Sequence, residues 1–543
     1  MFKVENPLLV DSEGGFSVYY RNKFLYSSRE PRKRVEKQAK SCILRENTLI
    51  FAPSPLLGYG LDILIKNLPP NCHIISVEAD EKLMSLSAKY IPQDLKKSPY
   101  FTLLYTDSVE KVVKVIHDLG VWNFRRAEIV ILSGGFTLYG KVYRNIFSSI
   151  QREIQTYWQN KMTLIHMARL WIDNIFFNLC SLPESHSLKE FNIHKPVLVA
   201  GAGESLEDSL HLIEKFRENL FILCVDTALP VLLQSGIKPD LIVILESQFI
   251  NLLDFSLCND HSIPIVCDLT SYPGVVRLFS GRKYFFLTSF AGTKLITRLK
   301  EAGLIKIILP PLGSVGITAV LIALSITKGY ILLTGLDFSY KPGKPHARGA
   351  ASHIKLLSEL NRFKPMGLYD SAMKRSIIKV KDKSGNYCVT DLVLYSYSSS
   401  LRDITRENPR IFDLSKIGIE TGAVRCTDPE KLLAGVNRVY TEQLTADINY
   451  SLSKEEITGF LKKEIELMEE IISLGNKIIF SYENRFPDEN LFRLLKECDY
   501  LYLDLPDTPP LPKKEVSFLA RCIISANHYK AQIDKALCIL TSR

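Results

Sequence analysis

Apolar residues in this chain come in short unbroken runs set between glycine turns and stretches of helical spacing. Early on they occur in "NTLIFAPSPLLGYGLDILIKNL" (47–68), "CHIISVEADEKLM" (72–84) and "AEIVILSGGFTLYG" (127–140). Strand, glycine turn, helix and strand in that order predict a nucleotide-binding βαβ unit, with Glu78 at the second strand's end and Asp80 after it. The turn "SPLLGYG", with Pro53 and Pro55, is not a G-x-G-x-x-G loop. Further runs are "PVLVAGAG", "LFILCVDTA", "LIVILESQ", "PIVCDL", "KYFFLTS", "IKIILPPL" and "YILLTGLDF". Such continuous apolar strands predict a sheet covered on both faces. Helical stretches fit between several of them, which predicts a doubly wound, mostly parallel sheet.

The fold class read from this pattern is α/β. It has a Rossmann-like N-terminal domain over 1–185, a central doubly wound domain over 186–426 and a C-terminal helical domain over 427–543. Residues 160–192 read as helix followed by loop. In the last part, "CTDPEKLL" predicts a helix capped by Thr427 or Asp428, with Pro429 in its first turn. "SKEEITGFLKKEIELMEEIISLG" predicts an amphipathic helix stopped by Gly475, and "DLPDTPPLPKKE" a proline-rich connection.

Composition narrows the classes. The 543 residues carry a formal net charge of +9, too small for this length to argue nucleic-acid binding. The basic cluster "REPRKRVEKQAK" (29–40) reads as the solvated face of a helix. Eleven cysteines are scattered without a CxxC pair, so no zinc or redox dithiol motif is present. Thiols inside apolar runs (Cys224, Cys267, Cys522) fit a reducing compartment. "MFKVENPLLV" is not a secretion signal. The longest apolar stretch, "GITAVLIALSITKGYILLTGLDF", is divided by Lys328 and Gly329 into helix and strand rather than spanning a membrane. The expectation is a cytoplasmic protein.

Candidate chemistry collects at the carboxyl ends of the central strands. In "GAGESL", Gly201 and Gly203 permit a tight turn and close approach of a ligand, and Ser205 is placed to cap the helix or to meet a phosphate. There is no Gly-Lys-Ser/Thr, so this is not a Walker loop. Asp226 and Glu246 end the next two strands, where such a sheet opens a crevice. A second glycine turn, "PLGSVGITAVLIAL", bends at Gly313, Ser314 and Gly316. "YILLTGLDFSYKPGKPHARGAASH" then gives a strand ending at Gly335 and Asp337. After it comes a loop with Tyr340, Lys341, Lys344, His346, Arg348 and His353, a composition suited to a phosphate leaving group.

"GAGESL", "CVDTALPVLLQSGIKPDLIVILES", "GSVGITAVLIAL", "LLTGLDFSYKPGKPHA" and "YCVTDLVLYSY" together resemble the motility accessory factor proteins, the Maf-type flagellin glycosyltransferases. The resemblance runs over roughly residues 15 to 430, and "LLGYGLDIL...IISVEAD" is similar to that family's N-terminal domain. It implies transfer of a nonulosonic acid of the pseudaminic or legionaminic type from its CMP-activated form. The implied acceptors are serine or threonine hydroxyls of flagellin before export, in support of flagellar assembly and motility. The implied partners are flagellin and the nucleotide-activated sugar, with no nucleic acid, no membrane, no required cofactor and no metal.

The central domain also resembles bacterial sialyltransferases. By that resemblance Gly201, Gly203 and Ser205 match the nucleotide-phosphate loop, Asp226 and Glu246 stand where those enzymes place asparagines near nucleotide and substrate, and Asp337 matches the strand-end acid. Gly313, Ser314 and Tyr340 join the implied nucleotide and substrate set. Three departures stand out. Glu204 replaces a proline, Ser339 stands where a tyrosine holds phosphate and Tyr340 is its neighbour, and "GNYCVTD" before Thr390 and Asp391 lacks the histidine base. His346, His353 and Asp337 are then the candidate bases. Alternatives remain open. One is a diphosphokinase like the 6-hydroxymethylpterin enzymes, with magnesium on Asp226, Glu246 and Asp337. Another is a non-catalytic flagellin-binding protein. The N-terminal unit also permits a methyltransferase-like reading, with Glu78 on a ribose.

Overall fold

The structure is a computed structural model. It describes residues 6–341, 344–363, 377–434, 452–480, 489–506, 512 and 515–542. Part of the proline-rich connection lies outside the described residues. The chain forms two compact units, Met1–His166 and Met167–Arg543, divided within the helix Gly140–Leu179. The sequences expected to form central and C-terminal domains both fall in the second unit.

In the first unit, β1 (Leu8–Ser12), β2 (Gly15–Tyr20) and β3 (Lys23–Phe24) make an antiparallel sheet. The basic cluster forms the helix Pro31–Ser41, with mainly its apolar positions buried. Strands β4 (Thr48–Pro53), β5 (His73–Glu78), β6 (Phe101–Tyr105) and β7 (Arg126–Ile129) form a parallel sheet in the order β6-β5-β4-β7. Every residue of β4 and β5 is buried, as their unbroken apolar runs require.

The order reverses between β4 and β7, where a dinucleotide would approach the carboxyl ends. Here the chain itself occupies that end. The Tyr26 hydroxyl donates to Pro55 O at 3.1 Å, Gly134 N donates to Leu25 O at 2.6 Å, and the Ser133 hydroxyl donates to Ser54 O at 2.6 Å. Glu78 is fully buried and accepts from the hydroxyls of Ser54 and Tyr143 and from Asp80 N, at 2.8, 2.9 and 3.3 Å. Burial pushes its carboxyl up to about 7. Asp80 caps the helix Glu81–Tyr90 through Lys82 N and Leu83 N. The acid expected to meet a ribose is instead an internal hydrogen-bond acceptor.

The second unit is built on β8 (Ser185–His186), β9 (Val197–Ala200), β10 (Phe221–Val225), β11 (Leu241–Ile244), β12 (Ile265–Asp268), β13 (Lys283–Thr288), β14 (Ile308–Leu309), β15 (Ile331–Thr334), β18 (Ile411–Asp413) and β19 (Val424–Arg425). They form one parallel sheet in the order β14-β13-β12-β11-β10-β9-β15-β18-β19, with β8 beside β13. A hairpin of β16 (Ile377–Lys381) and β17 (Tyr387–Asp391) lies outside it. Strands β9 to β12 are wholly buried. The long apolar stretch resolves into the helix Val315–Ile326, mostly buried, and β15, with the break at Lys328–Gly329 as expected. Among the described residues no helix is long and apolar enough to cross a membrane.

The C-terminal helices share the sheet's hydrophobic core. Arg298 donates to both oxygens of Glu464 at 2.7 and 2.9 Å, and Tyr500 donates to the same carboxylate at 2.8 Å. Gly475 does not stop its helix, which runs Lys454–Phe480. A Cβ there would meet Ile523 Cδ1 at 2.7 Å, so the glycine is a seat for the helix Val516–Ser542. Asp428 is the cap expected near residue 427, accepting from Lys431 N at 3.0 Å.

Candidate active site

The sheet order reverses between β9 and β15, so a ligand crevice belongs at their carboxyl ends. Neighbouring ends are closed by the part of the helix Gly140–Leu179 that belongs to the second unit. The Asn174 amide donates to Ser247 O and Thr270 O, Asn178 donates to Leu269 O and Ser271 O, all within 2.8–2.9 Å, and Trp171 donates to the Ser247 hydroxyl at 3.1 Å. These bonds cover the segments after β11 and β12.

Gly201 and Gly203 are indeed required, and the structure shows what requires them. Gly201 N donates to Thr334 O and Gly203 N to Gly335 O, both at 2.8 Å. A Cβ on Gly201 would run into Gly335 O, and one on Gly203 would lie 2.5 Å from Asp337 Oδ2 and 2.7 Å from Gly335 O. Gly335 itself has φ +68 and packs on Gly201 O. The glycines let two strand ends lie against each other. Ser205 opens the helix Ser205–Lys215 but does not cap it. Its hydroxyl donates to Asp337 Oδ1 at 2.5 Å and accepts from Gly335 N at 3.0 Å, while Ser205 N donates to Asp337 Oδ2 at 2.8 Å. The Asp337 carboxylate therefore takes the place at this helix start that a phosphate was expected to fill.

Asp337 is only 2% exposed, and burial pushes it up to about 6 against the pull of its Ser205 bonds and Lys383. Both of its oxygens accept from Ser205, so it holds the turn. Beneath it lies a buried network. The Ser205 hydroxyl is 2.8 Å from that of Ser415, Ser415 N donates to Asp413 Oδ1, and Asp413 Oδ2 pairs with Lys383 Nζ at 2.6 Å. Both charged side chains of that pair are 2% exposed. The pair is close without hydrogen-bond angles, so it holds as an ion pair. Phe338 has φ 49, a left-handed conformation costly for an aromatic residue. It is held by the Thr390 hydroxyl, which donates to Phe338 O at 2.7 Å. Thr390 and Asp391 are thus structural here, Asp391 capping the helix Leu392–Arg406.

The basic loop lies across the first glycine turn. Ala347 N donates to Ala202 O at 2.9 Å, and Tyr340 N donates to Val389 O at 2.9 Å. Lys341 and Lys344 pair with Glu204 at 2.7 and 3.2 Å; Lys344 and Arg348 pair with Glu207 at 2.8 and 3.3 Å. Glu204, the departure from proline, anchors the loop that follows β15. His346 is half-buried, 3.1 Å from the Ser352 hydroxyl, and burial lowers its pKa. His353 lies half-buried on the helix Ala351–Glu359.

The second glycine turn is arranged differently. Gly313 has φ +67, and a Cβ on it would meet the Tyr397 hydroxyl at 2.9 Å. Ser314 precedes the helix Val315–Ile326 without a side-chain cap bond. Among the described residues no acceptor takes the N–H groups of Val315, Gly316 and Ile317. One methyl of Leu336 would lie 2.6 Å from a Cβ on Gly201 and 2.5 Å from one on Gly316, so the two turns converge on it.

Asp226 and Glu246 belong to an acidic cluster. Asp226 accepts from Thr227 N at 2.8 Å and from Asn251 Nδ2 at 2.9 Å; the same Nδ2 donates to Asp254 at 3.1 Å. Burial, reinforced by neighbouring carboxylates, pushes Asp226 up to about 6 and Asp254 up to about 7. Asn251 and Asp254 escaped the sequence reading because they lie in the apolar segment "FINLLDF". Among the described residues no group of three or more His, Cys, Asp or Glu side chains is arranged to hold a metal ion. Asp337 does not join Asp226 and Glu246 as a magnesium ligand set, because Ser205 occupies it.

This geometry can now be set beside known proteins. Residues 171–343 match the family model described as 6-hydroxymethylpterin diphosphokinase MptE-like. The structure aligns with a MAf glycosyltransferase from Magnetospirillum magneticum AMB-1, with a TM-score of 0.57 and 15% identity, over 98% of this chain and 90% of that one. The chain shares the Maf glycosyltransferase fold. An uncharacterized protein of Treponema pallidum (strain Nichols) is 29% identical over 534 residues, 95% of this chain and 93% of that protein. A second from the same strain is 27% identical over 131 residues, 22% of this chain and 62% of that protein. The α/β class with a large parallel sheet agrees with the expected architecture.

Proposed function

We propose that the second unit is a glycosyltransferase that moves a nonulosonic acid from its CMP-activated form to serine or threonine hydroxyls of flagellin. The observation that carries this reading is the start of the helix Val315–Ile326 at the switch point between β9 and β15. There, among the described residues, no acceptor takes the amides of Val315 to Ile317, and a methyl of Leu336 joins their turn to the Gly201–Asp337 assembly. Free amides at a helix start suit the CMP phosphate as it leaves. In this reading Gly313 and Ser314 line the phosphate seat. Gly201, Gly203, Ser205 and Asp337 build the wall beside it, and Lys341, Lys344, Ala347 and Arg348 lie against the first glycine turn through Glu204, Glu207 and Ala202. The shared fold with a Maf glycosyltransferase supports the reaction class. The proposed partners are flagellin and the nucleotide sugar, in the cytoplasm before export.

The MptE-like match favours a second reading, diphosphate transfer from ATP-magnesium to a small pterin-like molecule. The carboxylates do not fit that metal as they stand, because Asp337 would have to abandon two bonds to Ser205. The test is incubation of the protein with flagellin and a CMP-activated nonulosonic acid, followed by mass analysis of flagellin peptides. A sugar adduct on serine or threonine is expected. Unmodified flagellin together with ATP consumption on addition of a hydroxymethylpterin would reverse the assignment.

A further inference from the structure

We propose that Asp254, bridged by Asn251 to Asp226, is the general base of the transfer, a claim that rests on the glycosyl-transfer reading above. The missing histidine in "GNYCVTD" means that the base of that reaction must come from another side chain. Asp337 is sealed by Ser205. Asp254 is half-buried rather than sealed, in the 3-10 segment Phe249–Phe255 that follows β11. Asn251 fixes it by a 3.1 Å bond and holds Asp226 with the same Nδ2 at 2.9 Å.

Two observations point to a ligand beside this pair. Asn251 is 2% exposed, yet its Oδ1 has no donor among the described residues. A buried amide oxygen left without a donor is costly, so a hydroxyl or N–H from outside the described protein belongs there. The second is the acid environment. Burial, with the charges of Asp226 and Glu246 added to it and the Asn251 bond opposing them, pushes the Asp254 carboxyl up to about 7. The elements packed on its segment also carry Arg277, on Pro273–Leu278, and His353, Lys355 and Glu359, on Ala351–Glu359. A carboxylate with a pKa near neutrality is a far stronger base than an exposed aspartate and is still ionised in part at neutral pH.

The acceptor oxygen forms a bond to C2 of the sugar, and the bond from C2 to the phosphate oxygen of CMP breaks. CMP leaves with that electron pair, and the acceptor proton passes to Asp254, which later releases it to water.

The test uses the full chain, CMP-N-acetylneuraminic acid as probe donor and water as acceptor, with CMP release followed from pH 5 to 9. CMP binding is measured in parallel by calorimetry. The wild-type rate is expected to rise with pH and level off above a step near 7. Asp254→Asn is expected to lower kcat by about 100-fold and erase the step, with KM and CMP affinity nearly unchanged. Asp254→Glu restores part of the rate and the step. Asp226→Asn keeps the step and moves it to lower pH, because a neighbouring negative charge is gone. Wild-type kcat and an unaltered step in Asp254→Asn overturn the proposal alone. Absence of CMP binding by the wild type overturns the glycosyl-transfer reading and this proposal with it. If Asp254→Asn does not fold, the Asp226→Asn profile decides: an unmoved step rejects the base.

Discussion

Gly203→Ala is the sharpest probe of how the crevice wall is built. The added methyl would lie 2.5 Å from Asp337 Oδ2 and 2.7 Å from Gly335 O, distances no methyl tolerates. The backbone oxygen is fixed by Gly203 N, so the carboxylate must retreat. Retreat stretches the bonds that Asp337 accepts from Ser205 N and the Ser205 hydroxyl, now 2.8 and 2.5 Å. Losing much of one such charged hydrogen bond costs about 1.5–3 kcal/mol, and overpacking adds about 1–3 kcal/mol. The expected total is about 2.5–6 kcal/mol, a fall in Tm of about 3–8 °C for a unit this large. Gly459→Ala is the control of opposite sign. It sits in the helix Lys454–Phe480 with nothing near its Cβ, so alanine should stabilise by up to about 1 kcal/mol. The assay is thermal unfolding of both variants and the wild type by circular dichroism in one buffer. A Gly203→Ala variant melting within a degree of wild type would refute the reasoning.

Other perturbations give distinct readouts. Gly475→Val should destabilise, by overpacking against Ile523, where a helix-propensity argument alone expects a gain; the sign of the change in denaturant midpoint decides. Glu78 binds its proton more tightly folded, with a pKa near 7, than unfolded, so its contribution is full below about pH 4 and is lost as pH rises through 7. Glu78→Gln should therefore remove about 2.5 kcal/mol of the stability difference between pH 5 and pH 8, read as the difference in urea midpoints. Lys383→Met leaves buried Asp413 without its ion-pair partner and should cost about 3–5 kcal/mol, whereas Lys383→Met with Asp413→Leu should recover part of it; equal losses in the two variants reject the pairing.

Much of the sheet was legible because its strands are covered on both faces, so β9 to β13 and β15 read as plain apolar runs. "IKIILPPL" was read as a full strand, yet only Ile308–Leu309 pair, since Pro310 and Pro311 have no N–H to extend the ladder. The helix Gly140–Leu179 begins well before the stretch from residue 160 that looked helical. Gly475 looked like a terminator because local rules cannot see Ile523 arriving from a distant helix. The site shows the same limit. Gly201, Gly203, Ser205 and Asp337 were marked individually, but Ser205 and Asp337 are 132 residues apart and Ser205 and Ser415 are 210 apart. Their mutual hydrogen bonds, which turn a phosphate loop into a wall, exist only in the fold. Asp254 was hidden for a related reason: a lone acid in an apolar segment is perturbed by burial and by Asp226 and Glu246, which only the fold brings about.

The central claim is that the crevice beside β9 and β15 receives a CMP-activated sugar. Calorimetric titration of the wild-type chain with CMP, and separately with ATP plus magnesium, tests it most directly. Saturable CMP binding with no comparable heat from ATP-magnesium is the expected result. ATP-magnesium binding without CMP binding would contradict the account and favour diphosphate transfer.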